Sequence, residues 1–123
     1  MKQILFLSNN SIGTGLSGGD NIFVQLMKGW HGRAAVTLIG SEEAKAMAAL
    51  RGAGHVPTVI SDARNEDSAC YTIPGLFRHY VRRARAGLRV LKERRDLADA
   101  ADAVYSASDS YPDFVPAWRL KRR

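Results

Sequence analysis

Short apolar runs alternate with longer amphipathic stretches along this chain. Four runs read as strands, over Gln3–Ser8, Ala35–Ile39, Val56–Ile60 and Ala103–Ser106. After the first run, Ile22, Phe23, Leu26, Met27 and Trp30 recur at intervals of one, three, one and three residues. That spacing predicts a helix that begins near Asp20, a good N-cap, and is ended by Gly29 or Gly32. Ser41-Glu42-Glu43 offers a hydroxyl cap and then acids that complement the helix dipole. A second helix should therefore run through Ala46, Met47 and Leu50 to Gly52 or Gly54. Ser61 to Thr72 is polar and aperiodic, which predicts a loop. The third helix starts around Pro74, with Phe77, Tyr80, Val81, Ala84, Leu88 and Leu91 as its apolar face and arginines over the remainder. A short final helix is expected near Asp113, since Pro112 suits a first turn. Pro57 removes a ladder donor and puts the third strand at a sheet edge.

This alternation predicts an α/β fold: a Rossmann-like parallel sheet of four strands in the order 3-2-1-4, with helices on both faces. The ligand crevice of such a sheet lies outside the C-terminal ends of strands one and four. Ser8–Gly19 and Ser106–Asp113 are then side by side.

Length and composition narrow the class. With 123 residues the chain holds one domain, and a hydrophobic fraction of 46% argues against wholesale disorder. The lone Cys70 excludes an internal disulfide framework and fits a reducing compartment. The apolar run after Met1-Lys2 is too short for a secretory signal, and no stretch approaches the roughly 18 apolar residues of a membrane span. The expected location is the cytoplasm, including the inner face of a membrane. Net charge is +6, and the excess is concentrated. Arg78, Arg82, Arg83, Arg85, Arg89, Lys92, Arg94 and Arg95 are opposed there only by Glu93, and Arg119, Lys121, Arg122 and Arg123 close the chain. A basic helix over 76–95 suits an anionic membrane surface. Nucleic acid is the poorer partner, because the nearby aromatics Phe77 and Tyr80 fall on the expected core face.

The loop after strand one carries the first candidate chemistry. Gly13-Thr14-Gly15-Leu16-Ser17-Gly18 matches G-x-G-x-x-G, but Asn9, Asn10, Ser11 and Ile12 separate it from the strand. That is too much chain for the tight turn of a dinucleotide fingerprint. The acid expected at the end of strand two is also missing, because Leu38-Ile39-Gly40-Ser41 occupies the position. No Gly-Lys-Ser/Thr is present, so a P-loop is excluded. What remains is Gly18-Gly19 at a helix N-terminus, where a diphosphate can approach backbone N–H groups; glycines that merely serve turns are the other reading. The second candidate is Tyr105-Ser106-Ala107-Ser108-Asp109-Ser110-Tyr111-Pro112-Asp113, dense in hydroxyls and carboxylates. Such groups bind a polyol, and Asp109 can polarise a hydroxyl. They equally suit a capped loop that satisfies its own backbone. His31, His55 and His79 are scattered without metal-ligand spacing, so no metal site is expected. Ser17 lacks the flanks of a nucleophile elbow.

Met1-Lys2-Gln3-Ile4-Leu5-Phe6-Leu7, the loop ending Gly18-Gly19, a helix and then Ala35-Val36-Thr37-Leu38-Ile39 resemble the start of a family 4, GT-B fold glycosyltransferase of the group 1 type. Tyr105-Ser106-Ala107-Ser108-Asp109, with Pro112-Asp113 and Pro116-Ala117, resembles the segment after the fourth strand of the same N-terminal domain. The resemblance implies retaining transfer of a sugar from a nucleotide-sugar donor to an acceptor hydroxyl, hexosyltransferase-like, with no required metal or other cofactor. It puts Gly18 and Gly19 near the donor diphosphate. Asn10, Ser108 and Asp109 then lie near a sugar, polyol or lipid-linked acceptor, with Asp109 as the candidate catalytic residue. Many relatives carry a histidine after strand four; the comparable position here is Ser108. Family members have two Rossmann-like domains, and the second supplies most donor contacts. On this resemblance residues 1–123 are a truncated acceptor-side domain, inactive alone. Two other classes stay open: a non-catalytic α/β module for a phosphorylated ligand, and a basic protein of membrane or nucleic-acid surfaces.

Overall fold

The computed structural model describes residues 1–9, 18–63, 72–108 and 110–122. Strand β1 (Gln3–Ser8) leads to helix α1 (Gly18–Trp30), β2 (Ala35–Gly40), α2 (Glu42–Leu50) and β3 (Thr58–Ile60). Helix α3 (Ile73–Glu93), the short α4 (Arg95–Ala100), β4 (Ala103–Ser106) and α5 (Tyr111–Lys121) follow. The strands form one parallel sheet in the order β3-β2-β1-β4, as the alternation of elements predicts.

β1 is central because both of its faces are apolar. Phe6 points to one face, where it joins Phe23, Val24 and Met27 of α1, Val36 and Leu38 of β2, and Met47 and Ala48 of α2. Leu5 and Leu7 point to the other, where they meet Ile39, Val90 and Leu91 of α3, and Ala98 of α4. Each of these large side chains, fully buried, contributes about 1.5–3 kcal/mol. Ile4 lies opposite Val36, and Phe6 opposite Leu38, in the β1–β2 register. Ile4 lies opposite Ala103, and Phe6 opposite Tyr105, in the β1–β4 register. The Phe6 ring packs 5.5 Å from Phe23 and 5.4 Å from Tyr105, centroid to centroid. At the open end of the sheet, Asp102 accepts from the Gln3 backbone N–H at 2.8 Å and holds Lys2 at 3.3 Å. The Gln3 bond, more than Lys2, lowers its pKa. β4 pairs only with β1 among the described residues, so its outer edge is open.

Local chemistry explains most element ends. Ser41 caps α2 by accepting from the Ala44 N–H at 3.2 Å, and Thr72 caps α3 by accepting from the Gly75 N–H at 3.1 Å. Gly40 is where β1 and β2 come closest: a Cβ there would sit 2.6 Å from the Ser8 carbonyl oxygen. Several details differ from the expectation. α1 starts at Gly18, so Asp20 lies in its first turn and is not the cap. β3 begins after Pro57, whose carbonyl still accepts from Leu38 N–H at 2.9 Å. The basic helix ends at Glu93, and Arg95 opens α4.

The largest correction concerns the face of α3. Its buried residues are His79, Arg83, Ala86, Gly87, Val90 and Leu91, whereas Phe77 is 70% exposed. The stripe expected to be apolar is thus turned partly outward, and a stripe containing an arginine faces the sheet. The physical reason lies in other elements, which supply that arginine with buried carboxylates.

Candidate functional site

All four parallel strands end on the same side. Their carboxyl ends deliver Ser8-Asn9, Gly40-Ser41, Ser61-Asp62 and Ser106-Ala107 to one edge. From the neighbouring strands β1 and β4 the chain departs to opposite faces: α1 joins the Phe6 face, and α5 joins the Leu5–Leu7 face. A crevice between such divergent connections is the ligand position of open α/β sheets.

Gly18 and Gly19, the first two residues of α1 as described, are both exposed. A Cβ at Gly18 would meet no atom within 4 Å, so packing does not require glycine there. The first backbone N–H groups of a helix have no intrahelical acceptor and carry the positive end of its dipole.

On the α5 side, Asn9 is a hub with no exposed surface. Its backbone N–H donates to a carboxylate oxygen of Asp113, and its side-chain carbonyl accepts from the Ser61 hydroxyl. Its amide group donates to the Pro112 carbonyl at 2.9 Å. The second carboxylate oxygen of Asp113 accepts from the Ser108 hydroxyl at 2.7 Å, and Ser108 Oγ lies 2.6 Å from Ser110 Oγ. Ser106 Oγ donates to the Ser108 carbonyl at 2.6 Å. The turn between β4 and α5 is therefore tied to the end of β1 through Asp113.

Beneath Asn9 lies the ionic part of the site. Arg83 of α3 is fully buried. Its Nη1 donates to the Asn9 carbonyl at 3.2 Å, its Nη2 to Glu43 Oε1 at 3.0 Å, and its Nε pairs with Asp62 Oδ2 at 3.2 Å. Arg82 donates from Nε to the same Asp62 oxygen at 3.0 Å. Arg89 Nη2 donates to the Ser61 carbonyl at 3.0 Å. Four segments thus meet at one guanidinium and its neighbours. A buried charge is tolerated only when paired and hydrogen-bonded in this way.

His79, one turn before Arg83, is buried beside the same group. Burial is the main cause that lowers its pKa, followed by the positive charges of Arg83 and Arg82; Glu43 and Asp62 act in the opposite sense. Arg82 Nη2 lies 3.4 Å from His79 Nδ1. Because a guanidinium only donates, Nδ1 is the acceptor and the neutral ring carries its proton on Nε2. The sign for stability follows. Below pH 6.5, the ordinary value for histidine, the unfolded chain takes up a proton that the folded chain refuses until its lowered pKa is reached. Stability should therefore fall with pH across that window, by at most about 1.4 kcal/mol per pH unit. His79→Gln is expected to flatten this dependence. Urea unfolding of both proteins at pH 7 and at mildly acid pH measures it, and parallel losses would remove His79 from the account.

Of the residues singled out from the sequence, Gly18 and Gly19 open α1, and Ser108 lies in the turn between β4 and α5. Asn10 and Asp109 lie outside the described residues, as do Cys70 and the G-x-G-x-x string of residues 13–17. The Ser108 hydroxyl is engaged by Asp113 and Ser110. No protein-family model, curated protein or solved structure matches this chain. Among the described residues, no group of three or more metal-ligating side chains converges, and no helix is long and apolar enough to cross a membrane.

Sequence reasoning missed Arg83, Glu43, Asp62 and Asp113 as members of the site. One signal was present for Arg83: His79, Arg83 and Gly87 fall at i, i+4 and i+8, one stripe of a helix. A lone glycine within a helical pattern marks close packing, and here it marks the stripe that faces Asn9.

Proposed function

We infer that this chain is the acceptor-side, N-terminal Rossmann-like part of a retaining, nucleotide-sugar-dependent glycosyltransferase of the family 4, GT-B type, working in the cytoplasm. One observation supports the reading: α1, whose first glycines are exposed, and the hydroxyl-rich β4–α5 turn are the elements that follow the neighbouring parallel strands β1 and β4. In the transfer, the bond between the anomeric carbon and the donor's phosphate oxygen breaks, and a bond to the acceptor oxygen forms on the same face. Negative charge develops on the departing diphosphate, where the N–H groups of Gly18 and Gly19 stabilise it. The acceptor hydroxyl is assigned to Asn10, Ser108 and Asp109, with Asp109 as the candidate to polarise it. No metal is needed in this scheme, and the nucleotide-sugar is a co-substrate. A second domain would hold most of the nucleotide, so this chain alone is expected to show no turnover.

Titrating UDP and GDP into isotopically labelled protein tests the donor half. The amide signals of Gly18 and Gly19 should move with millimolar affinity, and Gly19→Trp should abolish the response. Signals that move only elsewhere, or not at all, overturn the assignment. A second reading is favoured by the engagement of Ser108 with Asp113: a non-catalytic module that uses only the anion site. Submillimolar binding of a bare diphosphate by this chain would select the module over the transferase.

A further inference from the structure

Outside the crevice, α3 carries a groove of about 960 Å³ lined by Pro74, Phe77, Arg78, Val81, Arg82, Arg85, Ala86 and Arg89, with Asp62 and Ala63 at one side. Its composition is divided. Pro74, Phe77, Val81 and Ala86 make an apolar floor, and Ile73, one turn before Phe77 on the same helix, is almost fully exposed. Four guanidinium groups stand over that floor; among the described residues the carboxylates that pair with them are Asp62, shared by Arg82 and the buried Arg83, and Glu93, 3.8 Å from Arg89. Arg82 and Arg89 are held in place by Asp62 and by the Ser61 carbonyl. Arg78 and Arg85 are exposed and have no acidic partner among the described residues. The fifth arginine of this stretch, Arg83, points inward and is neutralised, so it takes no part.

We propose that this groove binds an anionic phospholipid at a membrane surface, with the lipid phosphate among Arg78, Arg82, Arg85 and Arg89, and its acyl region against Ile73, Phe77 and Val81. The charge pattern demands an anion, and the exposed floor demands that the anion carry hydrocarbon. A free phosphate has no use for Phe77. A single-stranded nucleic acid needs successive aromatic platforms, and among the described residues one ring, Phe77, lines the groove. Basic side chains interleaved with exposed apolar ones on one helix are how an interfacial helix meets anionic lipid. The proposal does not depend on the glycosyltransferase reading, since it uses neither Gly18-Gly19 nor the β4–α5 turn.

Co-sedimentation with vesicles tests it. The protein should bind phosphatidylcholine vesicles that contain phosphatidylglycerol, should not bind pure phosphatidylcholine, and should release as salt rises. Arg78→Ala with Arg85→Ala should weaken partitioning by about tenfold or more. Phe77→Ser should weaken it several-fold while leaving the salt dependence unchanged, because it removes an apolar contact and no charge. All three residues are exposed, so an unchanged thermal midpoint will certify folding of each variant. Arg119→Ala with Lys121→Ala removes equal charge from α5 and is expected to have little effect. If that control weakens binding as much as the groove pair does, the attraction is diffuse and the site is wrong. Equal binding to pure phosphatidylcholine overturns the proposal, as does indifference to Phe77→Ser. Release of the protein by inorganic phosphate at matched ionic strength would reassign the groove to a free anion. Tighter binding of a single-stranded oligonucleotide would reassign it to nucleic acid.

Discussion

Replacing Arg83 with methionine is expected to cost about 3–5 kcal/mol of folding stability, among the largest effects available to a single substitution in this fold. The volume is nearly kept, so packing loss is not the reason. Methionine leaves the buried Glu43 without the guanidinium that pairs with it, leaves the buried Asp62 with Arg82 but not Arg83, and takes the Arg83 donor from the Asn9 carbonyl. A domain of this size has roughly 5–15 kcal/mol in total, so the variant should be close to unfolded at physiological temperature. Arg83→Lys is expected to rescue only part, because one ammonium cannot reach three acceptors in a planar fork. The combination of Arg83→Met with Glu43→Leu should be less harmful than the two separate costs added, since it removes both members of the pair. Urea unfolding measures all four proteins. A loss below about 1 kcal/mol in Arg83→Met would show that the ion group is peripheral to stability.

Gly87→Ala is expected to destabilise by about 1–3 kcal/mol, against the sign that helix propensity alone gives. Alanine in place of glycine inside a helix normally gains up to about 1 kcal/mol. At this position the new methyl would lie 2.8 Å from Asn9 Nδ2 and 2.8 Å from Pro116 Cγ. Neither neighbour yields easily. The Asn9 amide is held by Pro112 on one side and Ser61 on the other, and Pro116 is a rigid ring within α5. Relief would require α3 and α5 to move apart, which also loosens the turn that carries Ser108. Gly29→Ala is the control: it is also helical, and a Cβ there meets nothing within 4 Å. It should stabilise by the usual propensity gain. Opposite signs of the two thermal shifts support the close approach of α3 to Asn9; equal signs would deny it.

The strands and their order were legible because they depend on local runs and on the alternation of strand with helix. Phe6 and Leu5 lie in an unbroken apolar segment, which belongs to a strand buried on both faces. The caps Ser41 and Thr72 are equally local, and the former was read directly. The orientation of α3 was not legible, because pattern rules count arginine as solvent-facing. Arg83 is buried on account of Glu43, forty residues away, and Asp62, on a third element. No window along one helix contains that information. Hydrophobicity alone turns Phe77 inward, yet it is 70% exposed and borders a groove of arginines. The position of Gly18-Gly19 at the start of α1 is legible from spacing alone. The role of Asp113 is not, since it is set by its meeting with the Asn9 N–H across 104 residues.

That meeting has a further side, in the ordering of the chain. β1 finds β2 after about thirty residues, but it finds β4 only after about a hundred. Polymer theory assigns the longer closure an additional entropy cost of about 1 kcal/mol. The Phe6 face can therefore assemble from the first half of the chain, while the Leu5–Leu7 face waits for the last strand and α5 to return. Asn9, one residue past β1, is the position at which that return is registered: its hydrogen bonds to Pro112, Asp113 and Ser61 close together only when both ends of the protein have met.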